Sequence, residues 1–151
     1  MFKHERSKQP LYILHNQKRR AAVWNQLAYS SIDSYPVSEF HSLIVPKRHV
    51  ETYFELTNDE IKSCNELILK TKKKILKQYS SVQGFNIGTN AWKSAGQSIM
   101  HCHIHLIPRR EGDVENPQGG VRSVIPNKQH YKRKPWVVIK DKLTNTFGWT
   151  L

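Results

Sequence analysis

Apolar residues recur along this chain with two periods, near two and near 3.6, and the segments alternate in an order that predicts an α+β fold. Residues 12–14 and 27–32 read as short strands. Asp33-Ser34-Tyr35-Pro36 supplies a turn. Residues 40–45 form a further strand that stops at Pro46, which lacks the N–H a ladder needs. The strands on either side of that turn predict a hairpin. Thr57-Asn58-Asp59-Glu60 is a capping box. From there Ile61, Cys64, Ile68 and Ile75 fall on one stripe, with Leu67 and Tyr79 beside it, which predicts a helix to about Tyr79. Residues 85–88 read as a strand, 92–96 as a loop and 99–107 as a strand ended by Pro108. Beyond Arg110 turn-forming residues dominate. Residues 121–126 read as extended, and 136–139 as a late strand or helix. The sum is an antiparallel sheet with one dominant helix, in a single domain over residues 1–151. Residues 12–110 form its core, and the C-terminal tail 111–151 carries no clear pattern.

Composition narrows the class. A chain of 151 residues with 38% hydrophobic and 10% aromatic content suits one soluble globular domain. No window approaches the roughly 20 apolar residues of a membrane helix, so no membrane partner is expected. The N-terminus has no apolar stretch of signal-peptide type. The two cysteines, Cys64 and Cys102, make no disulfide framework, and a reducing cytoplasm is the expected setting. The net charge of +12 favours polyanions and leaves nucleic acid open as a partner. Lys70, Lys72, Lys73, Lys74 and Lys77 cluster on the predicted helix, where a solvated face explains most of that charge.

The candidate chemistry lies in residues 101–107, His-Cys-His-Ile-His-Leu-Ile. Alternate residues of an extended chain share a face, so His101, His103 and His105 line one surface. Two chemistries use such a row. A metal can take two or three imidazoles at this spacing, although no Cys-x-x-Cys or acidic cluster completes a site. Alternatively, a neutral imidazole can attack phosphorus and form a phosphoramidate. His103, flanked by the other two, is then the natural nucleophile, and a neighbour serves the leaving group. Gly96, Gln97 and Ser98, just upstream, supply donors for developing phosphoryl charge. Lys93 is a further candidate for an anion pocket. Lys47, Arg48 and His49 read as solvated strand-end residues.

The run at 101–107 resembles the signature of the histidine triad (HIT) family of nucleotide hydrolases and transferases. Ala95-Gly96-Gln97-Ser98 is similar too, as are Ile32-Asp33 before Pro36 and the stretch from His41 through Val45, Pro46 and Lys47 to His49. The resemblance covers roughly residues 12–110. It implies a five-stranded antiparallel sheet, a long helix and a homodimer. It implies that His103 takes a nucleoside monophosphate covalently, that His105 serves the leaving group, that His101 supports the nucleophile and that His41 lies beside them. Asn90 and Ser98 correspond to groups around the phosphate, Asp33 to a ribose ligand, Ile32 and less firmly Leu43 to the base pocket. No cofactor is implied, apart from Mg²⁺ carried on substrate phosphates. Some relatives bind zinc through an N-terminal Cys-x-x-Cys, which this chain lacks, so no structural zinc is expected. The stretch from Gly112 to Pro117, with Gly119-Gly120-Val121-Arg122, is similar to the tail of microbial members grouped with dinucleoside polyphosphate hydrolases. There Arg122 either reaches a distal phosphate or forms a surface salt bridge. Together these features lead to the expectation of a dinucleoside polyphosphate hydrolase. A phosphorylase or phosphoramidase on the same fold, or a non-catalytic nucleotide or RNA sensor, is the alternative.

Overall fold

The computed structural model describes residues 21–130. Strands β1 (Ala21–Trp24), β2 (Ala28–Ile32), β3 (Ser42–Pro46), β4 (Gly84–Gly88) and β5 (Ile104–Arg109) form an antiparallel sheet in the order β1-β2-β3-β5-β4. Helix α1 (Asn58–Gln78) packs on one face. Five antiparallel strands and one long helix are the architecture the resemblance implied. The predicted hairpin is β2–β3, with Ile32 opposite Ser42. Among the described residues no helix is long and apolar enough to cross a membrane.

The helix begins where its capping box places it. The Glu60 N–H donates to the Thr57 hydroxyl at 3.3 Å, and the Glu60 carboxylate accepts the Thr57 N–H at 2.9 Å. Arg48 grips the same carboxylate with two bonds of 2.8 and 2.7 Å, which holds the Glu60 carboxyl down at about 2 against the opposing effect of burial. Cys64, Leu67 and Ile68 on the helix meet Ala28, Ile44, Ile104 and Leu106 of the sheet in one core cluster. Strand parity then decides what the other face carries. On β5 the residues Ile104, Leu106 and Pro108 are buried, while His105, Ile107 and Arg109 are half-buried on the opposite side. Tyr29, Leu43 and Val45 close a smaller cluster of their own.

Three expectations are corrected. The histidine strand begins at Ile104 rather than at 99. The His101 N–H turns back to the Ile99 carbonyl (2.8 Å) and the Cys102 N–H goes to Val50 (2.7 Å), so His101 and Cys102 leave the ladder before it starts. Residues 121–126 are not extended. A 3-10 helix spans Gly120–Val124, entered through Gly119 at φ +79°, a left-handed conformation that glycine adopts without strain. Strand β1 had no counterpart in the sequence reading, because Ala-Ala-Val-Trp shows no alternation. The strand expected at 12–14 and the late strand or helix expected at 136–139 lie outside the described residues.

Candidate active site

The three alternating histidines have three different surroundings. The His101 ring is buried and tied at both nitrogens: Nε2 lies 3.0 Å from the Pro46 carbonyl and Nδ1 lies 2.7 Å from Nδ1 of His49. A carbonyl only accepts, so the His101 proton sits on Nε2 and its Nδ1 accepts from His49. His49 is therefore a fixed partner rather than a solvated strand end. Its neighbours are bonded as well: Lys47 Nζ donates to the Asn25 and Gln26 carbonyls, and Arg48 holds Glu60.

His103 is half-buried. Its Nδ1 lies 2.8 Å from the His101 carbonyl oxygen. By the same argument Nδ1 carries the proton, and in the neutral ring Nε2 carries the lone pair. That is the tautomer a nucleophilic imidazole requires. The Thr89 hydroxyl donates to the His103 carbonyl at 2.8 Å and pins this backbone from the β4 side.

His105 stands beside His103, with ring centroids 5.0 Å apart and planes at 74°. Its Nδ1 lies 3.0 Å from Nε2 of His41. The His41 Nδ1 accepts the Val37 N–H at 3.3 Å and faces a carboxylate oxygen of Asp33 at 3.5 Å. With His41 accepting from Val37, its Nε2–H donates to His105, whose own proton then lies on Nε2. Burial is the main cause that pushes His105 down to about 4, aided by His103 and His41 and opposed by Asp33. Burial lowers His41 as well, again against Asp33. Both rings are thus neutral at neutral pH. Asp33 opposes both shifts and so favours a proton on this pair.

The triad does not converge as a metal site, since His101 is committed at both nitrogens. Among the described residues a different set, Asp33, His41 and His105, brings one ligand atom each within 4.8 Å of the others. A divalent ion there would displace the hydrogen bond that links the two imidazoles. The Cys102 thiol, pushed up to about 12 chiefly by burial, is no nucleophile.

A cavity of about 630 Å³ opens beside this group, and His41, His105 and Asn90 line it. Ile32 and Asp33 lie at the end of β2, outside its lining. Asp33 also accepts the Tyr35 N–H at 2.9 Å. Gln97 braces the upstream loop: it accepts the Trp92 N–H (2.7 Å) and donates to the Glu51 (2.6 Å) and Ile99 (3.1 Å) carbonyls. Its buried amide is committed inside the protein, so it positions the loop that carries Gly96 and Ser98. Gly96 closes that turn at φ +87°, and both Gly96 and Ser98 are exposed. Lys93 is exposed in the same turn, outside the cavity lining. Arg122 donates to the Lys128 carbonyl at 3.2 Å, which braces the tail. Sequence reasoning missed Arg109, Asp113 and Asn86, which join across β4 and β5 at the cavity. The Arg-x-x-x-Asp spacing of 109 and 113 was the available signal.

A HIT domain model matches residues 2–112. An uncharacterized HIT-like protein of Methanocaldococcus jannaschii is 40% identical over 86 residues, 56% of this chain and 64% of its own length. An AP-4-A phosphorylase of Mycobacterium tuberculosis is 37% identical over 92 residues, 59% of this chain and 46% of its own length. This chain therefore spans about half to two thirds of the length of these two relatives. Among solved structures, a Plasmodium falciparum diadenosine triphosphate hydrolase superposes with a TM-score of 0.57 at 27% identity, covering 66% of this chain and 67% of that one. With a family match across most of its length and the histidine run in place, this chain belongs to the HIT family of nucleotide-processing proteins.

Proposed function

We propose that this protein is a nucleotidyl hydrolase or transferase that removes a nucleoside monophosphate from a phosphoanhydride or phosphoramidate through a covalent His103 intermediate. The observation that carries the reading is the 2.8 Å contact from His103 Nδ1 to the His101 carbonyl, which reserves Nε2 as a lone pair. Nε2 attacks the phosphorus as the bond to the leaving group breaks. The leaving atom keeps the bonding pair and takes a proton from His105. That proton enters the His41–His105 pair with the anionic substrate, because a phosphoryl anion nearby favours imidazolium. Water then cleaves the P–N bond to His103 and returns a proton to the pair. Asn90, Gly96 and Ser98 are proposed around the phosphoryl oxygens, Asp33 at the ribose, and Ile32 and Leu43 at the base. A homodimer in the cytoplasm completes the proposal, with no resident cofactor and Mg²⁺ only as carried by a substrate.

The family match and the relatives named for AP-4-A phosphorolysis and diadenosine triphosphate hydrolysis support this class. They also supply test substrates: diadenosine tetraphosphate, diadenosine triphosphate and adenosine 5′-phosphoramidate, each with and without inorganic phosphate. The expected result is nucleoside monophosphate from wild type and none from His103→Ala. Nucleoside diphosphate that appears only with phosphate would make the enzyme a phosphorylase. No turnover of any of them, with His103-independent RNA binding, would contradict the proposal in favour of a sensor.

A further inference from the structure

Positive charge in the described residues is gathered on one helix. Residues 21–130 hold 13 of the 24 basic side chains and 10 of the 12 acidic ones, a net of +3. Six of those 13 cations are lysines of α1, at positions 62, 70, 72, 73, 74 and 77, and all six are exposed. From Lys70 to Lys77 the helix carries five lysines and no acid, and Glu66 stands one turn earlier. Three arginines elsewhere are paired: Arg48 with Glu60, Arg109 with Asp113 and Arg110 with Glu39. Among the described residues Lys70, Lys72, Lys73 and Lys77 form no ion pair.

The chain itself does not supply the matching anions. Residues 1–20 and 131–151 hold eleven basic side chains against two acids, Glu5 and Asp141. A second copy of the chain is equally cationic. The helix dipole accounts for one lysine, since Lys77 alone lies in the last turn. Lys70 and Lys74, like Lys73 and Lys77, are like charges four residues apart, which weakens a helix until an anion lies against them. Five lysines within about 10 Å of helix axis approach the charge density of a nucleic-acid duplex, about one phosphate per 1.7 Å. The helix has no aromatic residue on which bases could stack, so such a face meets phosphates and not sequence. An anionic membrane would need a broad apolar face as well. That face of α1, with Cys64, Leu67, Ile68 and Ile75, is buried in the core, and only Leu69 and Leu76 are apolar side chains it leaves exposed.

We infer that the Lys70–Lys77 face of α1 docks the phosphate backbone of a nucleic acid, without regard to base sequence. Helix α1 packs on the sheet face that carries Ile104 and Leu106, while His105 points to the opposite side. Nucleic acid on this face therefore leaves the histidine site open. The inference is independent of the catalytic reading above.

The test is fluorescence anisotropy of the full chain with two short, labelled DNA duplexes of unrelated sequence. Wild type is expected to bind both alike and to lose about 10²-fold in affinity from about 50 to about 200 mM salt, the effect of roughly four phosphate contacts. Lys73→Gln/Lys77→Gln keeps good helix formers at both sites. It is expected to weaken binding at low salt by about tenfold or more and to reduce the salt slope by about two. Lys132→Gln/Lys134→Gln removes the same charge from the C-terminal tail and is expected to cost much less affinity. No duplex binding by wild type, a strong preference for one sequence, or a loss in the helix variant no larger than in the tail variant would overturn the inference. Binding to phosphatidylserine vesicles in place of the duplexes would overturn it in favour of a membrane. Turnover of adenosine 5′-phosphoramidate decides the catalytic reading separately. The helix variant is expected to turn over as wild type does, and His103→Ala to bind the duplexes as wild type does.

Discussion

The carbonyl oxygen of His101 lies 2.8 Å from Nδ1 of His103, so the first histidine orients the second through its backbone and not its ring. The His101 ring serves the fold instead, bonded to Pro46 and His49 in a buried position. His101→Ala is therefore expected to lower stability by about 2–3 kcal/mol, from a lost buried ring and two lost hydrogen bonds. Its effect on kcat is expected to be far smaller than that of His103→Ala, which should reach the order of 10⁴-fold. Denaturant unfolding and steady-state rates on both variants check this.

His41 sets the tautomer of His105 and contributes to its low pKa. His41→Asn should reduce kcat on the order of 10²-fold, the scale of one misplaced proton donor, with KM little changed. NMR titration gives a second, independent readout. The His105 imidazole should titrate near 4 in wild type and higher in the variant, because one neighbouring ring that disfavours the imidazolium is gone. A merely structural role for His41 would leave that titration unmoved.

Acid should destabilise the protein in two separate windows. His105 has a folded pKa of about 4 against an ordinary 6.5, so the unfolded chain binds more protons between those values. Stability should fall as pH drops from about 6.5 toward 4, and His105→Gln should flatten that slope. Glu60, held at about 2 by Arg48 and Thr57, acts lower: the stability it contributes is present above its unfolded value near 4.5 and is lost as pH falls toward 2. Thermal melts across pH 3–7 on wild type, His105→Gln and Glu60→Gln separate the two groups.

Gly119 holds φ +79°, and a Cβ there would collide with the Gln129 carbonyl oxygen. Gly119→Ala should loosen the tail from the sheet, at a stability change on the order of 1–2 kcal/mol, and should raise hydrogen exchange in residues 120–125 while α1 stays protected. The same rates in the tail of wild type and variant would show that the turn is not what fixes it.

Local chemistry explains which parts were legible in the sequence. The capping box at Thr57 and Glu60, the apolar stripe of Cys64, Leu67 and Ile68 and the β2–β3 hairpin are local patterns, and each stands where its residues place it. The alternation of 101–107 was legible as chemistry but not as one strand, because Cys102 pairs with Val50, a partner 52 positions upstream. Long-range pairing also hid the role of His49, which looks like one more basic residue at a strand end until His101 arrives against it. The 3-10 helix at Gly120–Val124 was not legible, since Val121 and Val124 in a glycine-rich tail show no period and residues 121–126 read as extended.

The central claim is that Nε2 of His103 carries the nucleotide. Rapid mixing of wild type with excess adenosine 5′-phosphoramidate, quenched in alkaline denaturant to preserve a P–N bond, allows intact and peptide mass to be read within one turnover. The predicted result is a gain of one adenylyl group on the peptide that contains His103, absent from His103→Ala and lost as product forms. Turnover that proceeds with no adduct at any time, or that persists in His103→Ala, would contradict the account.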